Sequence, residues 1–92
     1  MAEQAKRNYK AIAADVAGGF ITINPLFLKT FDANALKALY TSLERMQREI
    51  RTEPFPYHDA ALIRNRNLRL QRIFTAITVI KNFAREKKLP LI

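Results

Sequence analysis

The stretch Arg64-Asn65-Arg66-Asn67-Leu68-Arg69-Leu70-Gln71-Arg72 concentrates the side chains of this chain best suited to recognition chemistry. Arginine forks onto phosphate oxygens and guanine edges, and asparagine and glutamine pair with adenine. No acidic residue stands between Asp59 and Glu86 to neutralise them. At about 100° per residue on a helix, Asn65, Arg69 and Arg72 fall on one flank, and Arg64, Asn67 and Gln71 on the opposite one. Two basic flanks suit phosphate contact better than base reading. The same residues also suit a plain solvated face, because arginine is a good helix former and an outer helix face needs charge.

The positive charge continues through Lys81, Arg85, Lys87 and Lys88. Residues 60–92 hold eight basic residues against Glu86 alone, so they carry nearly all of the chain's formal net charge of +8. A basic helix beside a nearly neutral body is a surface made to meet something acidic. Nucleic-acid contact therefore falls to Arg64, Arg69, Arg72, Lys81, Arg85, Lys87 and Lys88, with DNA or RNA as the partner.

Catalytic chemistry has little to draw on. His58 and Ser42 are the single histidine and a lone serine, and they stand in different elements, so no nucleophile–base–orienter set assembles. His58, Asp59 and Glu53 around one turn are a poor metal set, and Asp59 reads better as a helix cap. Gly18 and Gly19 are the only glycines, which excludes a glycine-rich phosphate loop, and there is no cysteine for a disulfide or a thiolate zinc site. The reading is a non-enzymatic protein with no cofactor and no metal.

The elements that must position the basic residues follow from spacing. Ala5, Tyr9, Ile12, Ala13 and Val16 recur at helical intervals, which predicts a first helix over about 2–17, stopped by Gly18-Gly19. Phe20 to Ile23 reads as an extended connector that drops Phe20 and Ile23 into the core. Asn24-Pro25 starts a short turn, and Asp32 caps a helix over about 33–53, with Phe31 and Leu36 placed for a hydrophobic staple. Leu36, Leu39, Tyr40, Leu43, Met46 and Ile50 give that helix a 3-4 rhythm suited to packing along another. Pro54 and Pro56 end it. Asp59 caps the last helix, about 59–88, whose inward row includes Leu62, Ile63, Leu70, Ile73, Phe74, Ile77, Ile80 and Ala84.

The fold class is therefore all-α: one domain over 1–92, a small bundle built on an antiparallel helix hairpin plus the N-terminal helix. A tight turn pairs Ile50 with Leu62, Met46 with Arg66, Leu39 with Ile73 and Leu36 with Ile77. It leaves the last turns of the third helix, Phe83 and Ala84 among them, overhanging. Arg66 falls in the apolar row, where it needs Glu49, Asp15, solvent or a second protomer for relief. The Pro54-Phe55-Pro56-Tyr57 apex reads as a cover for the end of the hairpin.

A second use of the same helix is protein contact. Arg66, Phe74, Ile77, Val79 and Phe83 would form an open patch for an acidic protein or a second copy, giving a homodimer. An acidic membrane surface suits the chain less, because the apolar face of the last helix is needed for the hairpin. The start, MAEQAKRNYK, lacks the apolar core of a signal peptide, and no run approaches the roughly 20 apolar residues that span a bilayer. The expectation is a cytoplasmic protein with no transmembrane segment.

Overall fold

A computed structural model of the chain describes residues 8–91. Those residues form four helices and no strand: α1, Tyr9–Gly18; α2, Pro25–Leu28; α3, Ala33–Thr52; and α4, Ala60–Glu86. The all-α bundle built on a long helix pair is what the chain adopts. The part of the N-terminal helix expected over 2–7 lies outside the described residues. No helix among the described residues is long and apolar enough to cross a membrane.

Each helix begins on a side chain that accepts from the backbone N–H three residues on. Asn8, Asn24, Asp32 and Asp59 do this for α1 to α4, at 2.8–3.0 Å. Such caps satisfy donors that have no partner within the helix, and each is worth about 1 kcal/mol. The far end of α1 is closed by Gly19 in the left-handed region at φ 83°. Gly19 N–H donates to the Val16 carbonyl (3.1 Å) and Phe20 N–H to that of Asp15 (2.8 Å). This paired pattern reverses the chain and satisfies two otherwise unpaired carbonyls.

That reversal corrects the expectation for Phe20. The connector after it is extended, so alternate side chains face opposite ways. Ile23 is buried and Ile21 is half-buried, which puts Phe20 on the solvent side at 83% exposure. Phe20 and Ile23 cannot share one face of an extended segment.

α4 closes in the same way, with Lys88 N–H on Arg85 and Leu89 N–H on Ala84 at 2.8 Å. Here a lysine, not a glycine, holds the left-handed position, at φ 57°. Its Cβ makes that conformation costly by about 1–2 kcal/mol. Lys88→Gly is therefore expected to stabilise the fold by about 0.5–1 kcal/mol, read as a shifted urea midpoint at unchanged slope.

α3 packs along α4, α1 packs on both, and α2 packs on α4. One core joins them, with Leu28, Leu36, Leu39, Leu43, Ile50, Ile73 and Ile80 fully enclosed. Burying each such side chain contributes about 1.5–3 kcal/mol relative to leaving it exposed.

The register of the hairpin differs from the tight-turn pairing. Glu53, the residue that caps α3, pairs with Arg69, ten residues beyond the Asp59 cap of α4. Buried positions agree: they run from Ala35 to Ile50 on α3 and from Ile73 to Ala84 on α4. Ile50 therefore lies level with the region of Ile73, not with Leu62. The cause is the connection itself. Glu53 is extended (φ −63°, ψ 145°), and the chain turns only at Pro56–Asp59, where Asp59 N–H donates to the Pro56 carbonyl at 3.1 Å. At about 3 Å per residue the extended residues 53–56 reach roughly two turns along the helix before the chain turns, which a hairpin loop of two or three residues could not.

The overhang consequently lies at the N-terminal end of α4. Phe83 and Ala84, expected to project past α3, are buried, while Leu62, expected inward, is 54% exposed. Ile63 and Leu70 are half-buried. Phe74, also placed in the inward row, is 62% exposed, because one residue past Ile73 turns it about 100° away from the core.

Candidate nucleic-acid interface

α4 has 27 residues and rises about 40 Å, close to the 46 Å long axis of the molecule. Its buried row, Ile73, Ala76, Ile77, Ile80, Phe83 and Ala84, fixes which face looks out. On the opposite side Arg64, Asn67, Gln71, Thr78, Lys81 and Arg85 follow at helical spacing, and all are exposed. This outer face extends for about 32 Å without a carboxylate. Its cations stand at the two ends, with Asn67, Gln71, the exposed ring of Phe74 and Thr78 between them. Lys81, Arg85, Lys87 and Lys88 also gather near the carbonyl end of the helix, where positive charge is favoured.

The structure sorts the candidate cations by what they touch. Arg69 donates through both terminal nitrogens to the two carboxylate oxygens of Glu53, at 2.9 and 3.3 Å. That guanidinium holds the Glu53 carboxyl below the usual carboxylate range, chiefly by hydrogen bonding, against a smaller opposing effect of burial. A depressed carboxylate pKa means that the pair's contribution is full at neutral pH and is lost as pH falls through the folded-state pKa. Both partners are partly exposed, so that contribution is about 0–1 kcal/mol.

Arg72 folds inward too. Its Nη1 donates to the Ala17 carbonyl at 3.0 Å, and its guanidinium lies against Gly19, where a Cβ would stand 3.0 Å from Cζ. Glycine at position 19 thus serves the left-handed turn and the close approach of Arg72 together. Arg69 and Arg72, the flank that sequence spacing set beside Asn65, are committed to holding α1 and the strap between α3 and α4, residues 53–59.

Arg64, Lys81, Arg85, Lys87 and Lys88 remain on the surface, and no carboxylate among the described residues is within ion-pair distance of them. Arg85 donates to Asn82 Oδ1 at 2.6 Å, which orients both side chains outward on the helix. Lys87 Nζ sits 5.8 Å from the centre of the Phe83 ring.

The residues expected to form an open protein-contact patch do not stay together. Ile77 and Phe83 are buried, Val79 is half-buried and packed against the core, and Phe74 alone is well exposed. Arg66 is not relieved by Glu49 or Asp15. Its guanidinium carbon lies 5.2 Å from the centre of the Phe55 ring, and Phe55 in turn meets Tyr57 at 4.8 Å between ring centres. A cation over an aromatic face is worth about 0.5–2 kcal/mol and needs no acidic partner. Arg66 Nε is buried without a hydrogen-bond partner. Phe55 therefore covers the overhang of α4, whereas Tyr57 is 78% exposed and covers nothing in the hairpin core.

Sequence reading missed two features. One is this aromatic–arginine stack, which depends on the long strap. The other is a groove of about 390 Å³ between the connector and α4, lined by Ile21, Ile23, Leu68, Gln71, Arg72 and Thr75 among others. The extended connector, Phe20 to Ile23, was the only sequence signal for the groove. Among the described residues no three histidine, aspartate or glutamate side chains stand close enough to hold a metal. No protein-family model matches the chain, and no curated protein or solved structure is significantly similar to it.

Proposed function

We propose that this is a non-enzymatic nucleic-acid-binding protein that lays the outer face of α4 along a phosphate backbone. One observation carries the reading: Arg64, Lys81 and Arg85 on that face, with Lys87 and Lys88 just past its end, are exposed, and among the described residues no carboxylate, the neighbouring Glu86 included, is within ion-pair distance of them. A helix needs an outer face, but it does not need one that is cationic at both ends and free of acid for about 32 Å. Asn67, Gln71 and Thr78 add donors that can reach phosphate or sugar oxygens between the charges.

The second reading is contact with an acidic protein or with a second copy, as a homodimer. It keeps one observation in its favour, the exposed ring of Phe74 in the middle of the outer face. The apolar neighbours it would need, Ile77 and Phe83, are used inside the molecule.

Fluorescence anisotropy with labelled duplex DNA, single-stranded DNA and hairpin RNA separates the two. Five phosphate contacts give a log–log salt slope of about −4.5 on duplex and about −3.5 on single strands. A slope near zero, or no binding at low salt, would contradict the proposal.

A further inference from the structure

The protruding end of α4 carries a feature that phosphate binding alone does not use. We infer that Tyr57 is a stacking platform for an unpaired base, so that the nucleic acid this protein takes is single-stranded where it meets the strap between α3 and α4. The inference rests on the nucleic-acid reading above.

The platform is built and held. Pro54 and Pro56 limit the backbone on either side of Phe55. Tyr57 N–H donates to the Phe55 carbonyl at 3.0 Å, and the Tyr57 ring packs on the Phe55 ring at 57°. Phe55 is held from below by Arg66 at 5.2 Å. Little conformational entropy remains for the Tyr57 ring to lose when something flat settles on its open side.

Charge selects what settles there. Residues 60–72 carry Arg64, Arg66, Arg69 and Arg72 and no acid. Of the flanking carboxylates, Glu53 is paired with Arg69, while Asp59 caps the Leu62 N–H and keeps its charge, which leaves the segment net positive. A partner must bring negative charge and a flat apolar face together, and a nucleotide brings both. Arg64 is exposed within two turns of the helix start, at the same protruding end of α4, and in this proposal it holds the phosphate beside a base stacked on Tyr57. A base inside a duplex has both faces covered and cannot use the platform, whereas an unpaired one can.

The experiment compares oligothymidylate, oligouridylate and a blunt DNA duplex as anisotropy probes for the full chain and its Tyr57 variants. Stacking on an aromatic is worth about 1–3 kcal/mol per base, or about fivefold to a hundredfold in affinity. Tyr57→Ala is expected to weaken both single strands by that factor and to leave duplex binding unchanged, while Tyr57→Phe keeps wild-type affinity. The chain has no tryptophan and three tyrosines, so the part of the tyrosine emission that is lost in Tyr57→Phe reports on Tyr57. Single strands should quench the emission of the wild type and quench that of Tyr57→Phe far less. Thymidylate and uridylate arms tell DNA from RNA.

Equal affinity of wild type and Tyr57→Ala for single strands overturns the platform and leaves the phosphate reading standing. Loss of self-association, and not of single-strand binding, in Tyr57→Ala by sedimentation would overturn it in favour of a protein contact. If none of the three probes binds the wild type, the phosphate reading fails and the platform fails with it.

Discussion

Replacing Arg64, Lys81, Arg85, Lys87 and Lys88 together by glutamine is expected to lower nucleic-acid affinity at least about a hundredfold at low salt and to flatten its salt dependence. Each phosphate a cation meets releases condensed counterion, and the entropy of that release dominates binding at low ionic strength. The five side chains are exposed and make no ion pair among the described residues, so the variant should fold as the wild type does. It keeps a positive net charge, because the wild type has a formal +8. The control is Arg45, Arg48 and Arg51 replaced by glutamine. These are also exposed cations, but they lie on α3. With screening over about 8–10 Å at ordinary salt, their loss should matter far less. Equal losses per charge removed, five in one variant and three in the other, would mean that net charge, not the face of α4, governs binding.

Ile80→Ala carries the second large effect, an expected loss of about 2–5 kcal/mol in unfolding free energy. Ile80 is fully enclosed in the core shared by the helices, so truncation removes transfer energy and leaves a cavity. A domain of this size has about 5–15 kcal/mol in total, and the variant should unfold at much lower denaturant. Leu62→Ala is the companion. Leu62 occupies the same apolar row by sequence spacing, yet it lies on the overhang and is more than half exposed. Its truncation should change stability by no more than about 0.5 kcal/mol. Urea denaturation of both checks the register directly. A large loss at Leu62 would return the hairpin to the tight-turn pairing.

That contrast shows what could be read from the chain and what could not. Helix starts were legible because Asn24, Asp32 and Asp59 announce themselves by residue type, and each does cap its helix. The stop at Gly18-Gly19 was legible for the same local reason. Register was not. Two prolines show that a helix must end, but they do not reveal whether the chain turns at once or runs along its neighbour first. The displaced register then redistributed the candidate site. Arg69 found Glu53, Arg66 found Phe55, and Leu62 was left in solvent. Arg72 reaches the Ala17 carbonyl, 55 positions away in the chain, a contact no periodicity encodes. The exposure of the C-terminal cations was legible because they lie in or just past the last turns of one helix, and the contacts that Arg85 and Lys87 make, with Asn82 and Phe83, are local to that helix.

Proton–nitrogen correlation spectra of labelled protein, recorded while oligothymidylate is added at low salt, test the central claim most directly. Binding along the outer face of α4 predicts that the largest shifts fall on Arg64, Asn67, Gln71, Lys81 and Arg85, with α1 and α3 little changed. Shifts confined to α1 or to the Arg45–Arg51 side of α3 would contradict it, as would an unchanged spectrum at saturating probe.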